Sequence, residues 1–153
     1  MSAVTAYRSQ VERLHKLTKK LMSLAPDQPD WKPGENFMSL GDLLNHLSGI
    51  NRAIIRSVKG PDAVPPVGPD KAVTAQAAIS RMEEGFAAAI KVLDELPESD
   101  YLNKEVETQI YKGPLYGMLS RIVEHQTNHK MQLFFYLKLL GKPVNTQTLY
   151  TVE

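Results

Sequence analysis

Residues 115–140 read LYGMLSRIVEHQTNHKMQLFFYLKLL, and the fold turns on this stretch. It opens directly after Gly113-Pro114. Leu115, Leu119, Ile122, Gln126, His129, Leu133, Tyr136 and Leu140 then return to one face at the three-to-four-residue spacing of an α-helix. Gly141 stands where a helix C-cap is expected, and Pro143 lies beyond it. The stretch therefore predicts one amphipathic helix about 40 Å long, at 1.5 Å per residue. Within it, His125 and His129 are four residues apart, which places both imidazoles on one face, a turn from each other. His129 points inward and His125 borders the apolar face.

Working outward, three more segments carry the same period. Residues 3–24 place Tyr7, Val11, Leu14, Leu17, Leu21 and Leu24 on one face; the opposite face carries Arg8, Arg13, Lys16, Lys19 and Lys20 and reads as solvated. His15, off the strict apolar stripe, reads as a surface or boundary residue. A second helix starts near Ser39, an N-cap with Asp42 three residues on, and runs through Leu40, Leu43, Leu44, Leu47, Ile50, Ile54 and Val58 to Gly60-Pro61. A third spans about 71–96, with Ile79, Met82, Phe86, Ala89, Ile90 and Leu93 inward, and ends at Pro97. Residues 25–38 form a proline-marked linker, 105–111 alternate as a short strand would, and 142–153 read as an extended tail. These elements predict a single all-α domain over 1–153, a four-helix bundle. The stiff proline-rich segment 60–70 can reach a full bundle length, so a long crossover between helices 2 and 3 leaves them parallel. The expected order is up-down-down-up.

Composition narrows the function. Lys and Arg total 18 against 17 acidic residues, and this near-balance argues against a nucleic-acid partner, which needs a net basic face. No stretch is apolar for long enough to span a membrane, and the N-terminus has no apolar leader, so a soluble cytoplasmic protein is expected. Cysteine is absent, which excludes thiolate metal sites and a thiol nucleophile from this chain. Any metal must be held by imidazole and oxygen.

His46 lies at the edge of the second helix's apolar stripe, between Leu43 and Ile50. If the second and fourth helices are antiparallel and centred on each other, His46 falls level with about residue 131, within about 3 Å of His129 along the axis. His46, His125 and His129 can then converge on one divalent ion. Three protein nitrogens leave positions open for water or substrate, the arrangement of a reactive site. Asp42, Asn128 and Gln132 are placed to orient an imidazole, with a solvent-facing cap the favoured role for Asp42. Glu124 turns about 100° away from His125 and is expected to face water or a partner. Trp31, Tyr111 and Tyr116 are aromatic candidates for pocket walls, each with packing over the bundle end as its plainer role.

The segments Val123-Glu124-His125-Gln126-Thr127-Asn128-His129-Lys130-Met131-Gln132-Leu133 and Ser39-Leu40-Gly41-Asp42-Leu43-Leu44-Asn45-His46-Leu47, the latter following Trp31-Lys32-Pro33-Gly34, resemble the DinB-like (YfiT-like) metalloenzyme family. The resemblance spans about residues 4–149. It departs at Lys130 and Met131, where the family often has arginine and glycine, and at Asn128, where histidine is common. It implies a four-helix bundle with one histidine on helix 2 and a pair on helix 4, and often a homodimer; three imidazoles suit zinc, nickel or iron. It also implies that the metal activates an external low-molecular-weight thiol, such as bacillithiol or mycothiol, for S-transfer, isomerisation or hydrolysis of a small-molecule substrate. The alternative from another class is a non-catalytic metal- or ligand-binding bundle. Phe134, Phe135 and Tyr136 in a row do not all face one core, because side chains on a helix turn about 100° per residue, so at least one is expected on another surface, covered by a partner helix or, alternatively, by the C-terminal tail.

Overall fold

In the computed structural model, which describes residues 1–64 and 74–152, four helical rods pack around one core. Helix α1 (Ala3–Met22) is opened by Ser2, whose hydroxyl accepts from the Thr5 amide at 3.1 Å. The second rod is two helices, α2 (Leu40–Gly49) and α3 (Asn51–Lys59), joined at Ile50. The third and fourth are α4 (Ala75–Asp94) and α6 (Leu115–Leu139). Between these two lie α5 (Glu98–Asn103) and an antiparallel hairpin of β1 (Glu105–Glu107) and β2 (Lys112–Pro114), in which Val106 pairs with Gly113. The short α7 (Thr146–Tyr150) follows α6.

Side-chain pairings fix the sense of each rod. Arg8 bonds Asp94 and His15 bonds Glu83, so α1 and α4 are antiparallel. Tyr7 donates to the Leu119 carbonyl and Gln126 to the Thr18 hydroxyl, so α1 and α6 are parallel. Tyr136 donates to the Met38 carbonyl while His46 meets His125, so α2 and α6 are antiparallel. Arg81 bonds Asn45 and Lys59 pairs with Glu95, so the second rod and α4 are parallel. In chain order the rods run up, down, down, up. The long crossover and the expected start of the third helix at Lys71 involve residues 65–73, outside the described residues; the described part of that connection begins with a 3-10 turn, Pro61–Ala63.

Three expectations need correction. The second helix is not one unbroken element over 39–58 but is interrupted at Ile50, where the Ser48 hydroxyl bonds back to the Asn45 carbonyl at 2.6 Å and the Ile50 amide reaches only Leu47, at 3.4 Å. A serine that bonds back to a carbonyl of its own helix competes with the amide ladder there. The 142–153 tail is not wholly extended: Asn145 and Thr148 form a capping box that starts α7. Three cations from the bundle then bond the carbonyls at the end of α7, Lys130 to Leu149, Arg13 to Tyr150 and Lys20 to Thr151. Such cations also suit the negative end of a helix. His15 is the third correction. It is only 4% exposed, stacked on Phe86 with ring centroids 3.8 Å apart. The basic residues beside it drew the reading outward, but α4 packs over that side of α1.

Candidate metal centre

Ser39 starts α2 by accepting from the Asp42 amide at 3.1 Å, while Trp31 and Pro29 carbonyls take the Leu40 and Gly41 amides. The first linker is thereby pinned to the start of α2, and the buried Leu40, Leu43, Leu44 and Leu47 press the helix against the core. His46, on the edge of that stripe, is left facing α6. On α6 the buried Leu119, Ile122, Gln126 and Leu133 orient the helix so that His125 and His129 look back at it. The three imidazoles meet. Their ring centroids stand 4.4 Å (His46–His129), 4.6 Å (His125–His129) and 5.0 Å (His46–His125) apart, and one nitrogen from each lies within 4.8 Å of the others.

The protonation pattern follows from the hydrogen bonds. His129 Nδ1 donates to Gln132 Oε1 at 2.9 Å; Gln132 Nε2 donates to the Tyr136 hydroxyl at 3.1 Å, and that hydroxyl donates to the Met38 carbonyl at 2.8 Å. This relay commits Nδ1 to carrying the proton and leaves the Nε2 lone pair of His129 free. Trp31 packs edge-on against Tyr136 at 5.4 Å and closes the relay from outside. His46 Nε2 and His125 Nε2 are 2.8 Å apart, a distance at which two neutral imidazoles share one proton and two charged ones would repel. Burial first, then the neighbouring His129 and His46, holds the His125 imidazole below its ordinary range. Neutral imidazole is the form that ligates a metal.

The donor set fits a divalent ion. Nitrogens that share one zinc at 2.0–2.1 Å stand about 3.3 Å apart in a tetrahedron, and the separations here, from 2.8 Å up to the 4.8 Å limit, bracket that value. Small side-chain rotations would bring all three into range. Among the described residues this is the one cluster of three or more histidine, aspartate or glutamate side chains able to hold an ion.

Beside the histidines a cavity of about 490 Å³ opens along the seam between α2–α3 and α6. Its apolar walls are Ile50, Ala53, Met118 and Ile122, with Ile110 reaching in from the β1–β2 turn. Asn45 and Asn128 line it beside His46 and His125, and its charged members are Arg56, Arg121 and Glu124. Glu124, expected to face water or a partner, is exposed and borders this space.

None of the aromatic wall candidates lines the cavity. Trp31 covers the relay, Tyr116 stands near Tyr101 at 6.2 Å, and Tyr111 lies under Arg121, whose guanidinium carbon is 5.2 Å from its ring centroid. Gln132 does orient an imidazole, Asn128 faces the cavity and Asp42 sits at the helix start. Sequence reasoning did not single out Arg56 and Arg121, because the wall they share is set by tertiary packing and carries no local signal.

Three comparisons bear on the chain. The DinB family matches it over residues 1–152. A solved structure of a DinB-like protein (YjoA) from Bacillus subtilis superposes with a TM-score of 0.73 at 20% identity, over 91% of this chain and 94% of that one, and so shares the fold. Among curated proteins, nothing matches. With the match spanning nearly the whole sequence and the fold shared with a DinB-like protein, the chain belongs to the DinB family.

Proposed function

We propose that this protein is a divalent-metal-dependent enzyme acting on a small molecule, with His46, His125 and His129 as the metal ligands. The observation that carries the reading is the meeting of three imidazole nitrogens, from two helices, at the edge of a cavity of about 490 Å³. That volume is in the range of small-molecule sites. Zinc, nickel and iron all suit three imidazoles.

A divalent cation held there lowers the pKa of a bound thiol or water and so supplies a nucleophile at neutral pH. The chain's own residues do the rest. Gln132 holds the His129 tautomer, partial desolvation and the neighbouring imidazoles lower the His125 pKa, and Ile50 and Ile122 give the cavity apolar walls. Glu124 is the one carboxylate lining the cavity, and it is the group placed to take up a released proton. Because the chain has no cysteine, a sulfur nucleophile must come from an external low-molecular-weight thiol, as a reducing cytoplasm would supply. S-transfer, isomerisation or hydrolysis of an electrophilic small molecule follows as the reaction class.

The test uses protein isolated without a histidine tag, analysed for metal and then substituted with cobalt. Titration with several low-molecular-weight thiols is expected to give a sulfur-to-cobalt charge-transfer band with at least one of them, and that thiol should support turnover. No band with any thiol, and no turnover of electrophilic substrates, would leave a non-catalytic metal-binding bundle.

A further inference from the structure

The cavity has two chemically different ends. His46 and His125 border one of them. Arg56 lies ten residues beyond His46 along α2 and α3, about 15 Å at the helical rise, and Arg121 lies four residues before His125 on α6, about 6 Å. Because α2 and α6 are antiparallel, both arginines lie on the same side of the histidines. The apolar walls are Ile50 and Ile122, near the level of Arg121, and Ala53 and Met118, between the levels of the two arginines.

Two further facts make the arginines a recognition feature. Neither guanidinium forms an ion pair among the described residues, although Glu124 borders the same space. Arg121 is also held in place: its guanidinium rides on the Tyr111 ring, and the Tyr111 hydroxyl is anchored by donating to the Pro114 carbonyl at 2.7 Å. The Tyr111 hydroxyl also lies where a Cβ at Gly117 would stand, so only glycine there lets the ring lie close on α6. A planar guanidinium forks onto carboxylate oxygens in a way a point charge does not. Two arginines against one glutamate leave a single net positive charge on the protein wall, which matches a monoanion better than a phosphate dianion.

We infer that the cavity selects small molecules with an apolar body and a terminal carboxylate, the carboxylate lying at Arg56 and Arg121 and the reacting group at the histidines. This deepens the proposed function and rests on it for the reacting end only.

The probes are 4-phenylbutanoate and its neutral amide, titrated calorimetrically into zinc-loaded and zinc-free protein. The acid is expected to bind about tenfold tighter than the amide in both forms, as charge-assisted hydrogen bonds imply. In Arg56→Gln/Arg121→Gln the preference should fall below about twofold, with zinc content and melting temperature unchanged. If the double variant does not fold, each single variant should lose about threefold of the preference.

Equal binding of acid and amide, or no binding of either at millimolar concentration, overturns the inference. A preference that requires zinc and survives the double substitution also overturns it, because the carboxylate then sits on the metal. An arginine-dependent preference in a protein that takes up no zinc would end the metal reading and leave this one standing.

Discussion

At His129 the proton sits on Nδ1 because Gln132 Oε1 accepts it, and Gln132 is itself fixed by Tyr136. If the three histidines share an ion, His129→Ala should abolish stoichiometric zinc uptake, since two imidazoles make a poor site. Gln132→Ala should keep the ligands but weaken zinc by roughly 10- to 100-fold, the usual cost of losing an orienting partner. Competition with a chromophoric chelator measures both, and full affinity in either variant contradicts the assignment. His15 offers a different residue-level test. Burial, the largest influence, holds its imidazole below the ordinary range, with the Glu83 contact at 2.8 Å pulling the other way. The unfolded chain titrates near 6.5, so between that value and the lower folded one the unfolded state binds more protons. The stabilisation tied to neutral His15 is thus complete above about pH 6.5 and is lost as pH falls toward the folded value. Urea midpoints should drop between pH 7 and pH 5, and less so in His15→Gln; identical slopes for the two proteins would reject this.

Among the elements, α6 and the β1–β2 hairpin are coupled through one close approach. Gly117→Ala drives a methyl group into the Tyr111 hydroxyl and should cost about 1–3 kcal/mol, the usual range for overpacking. Thermal melts give the size of the loss, and a neutral outcome would mean the hairpin simply shifts. Helix existence was legible in the sequence because leucine periodicity along α1, α2 and α6 is strong, and Ser39 and Gly141 mark ends that the structure keeps, Gly141 with φ of 72°. The meeting of the three histidines was legible for the same reason: two helical periods and an antiparallel register suffice to bring His46 to His125 and His129. What tertiary contact decides was hidden. Lys130 interrupts the α6 pattern, yet its side chain is buried to reach the Leu149 carbonyl, and burial holds its ammonium below the ordinary range. No local signal in the sequence foretells a carbonyl nineteen residues away.

For the whole molecule, the aromatic triplet divides as its spacing requires: Phe134 and Tyr136 are buried, and Phe135 is 57% exposed. Leu139, one turn on, is 66% exposed, so the outer face of α6 carries an apolar pair that α7 does not cover. A homodimer through this face is the expected assembly. Sedimentation at micromolar concentration should give twice the 17.1 kDa chain mass, and Phe135→Glu should return it to the monomer. A monomeric wild type decides against it. The break in the second rod at Ile50 has a consequence at the same scale. It falls between His46 and Arg56, so a change of backbone there alters the span between them without replacing either side chain. The second rod is then a ruler jointed between its two marks. In a homologous series of phenylalkanoates, Gly49→Ala should move the best-bound chain length and leave zinc content alone. A family that varies this joint could change the length of molecule it accepts while keeping every histidine.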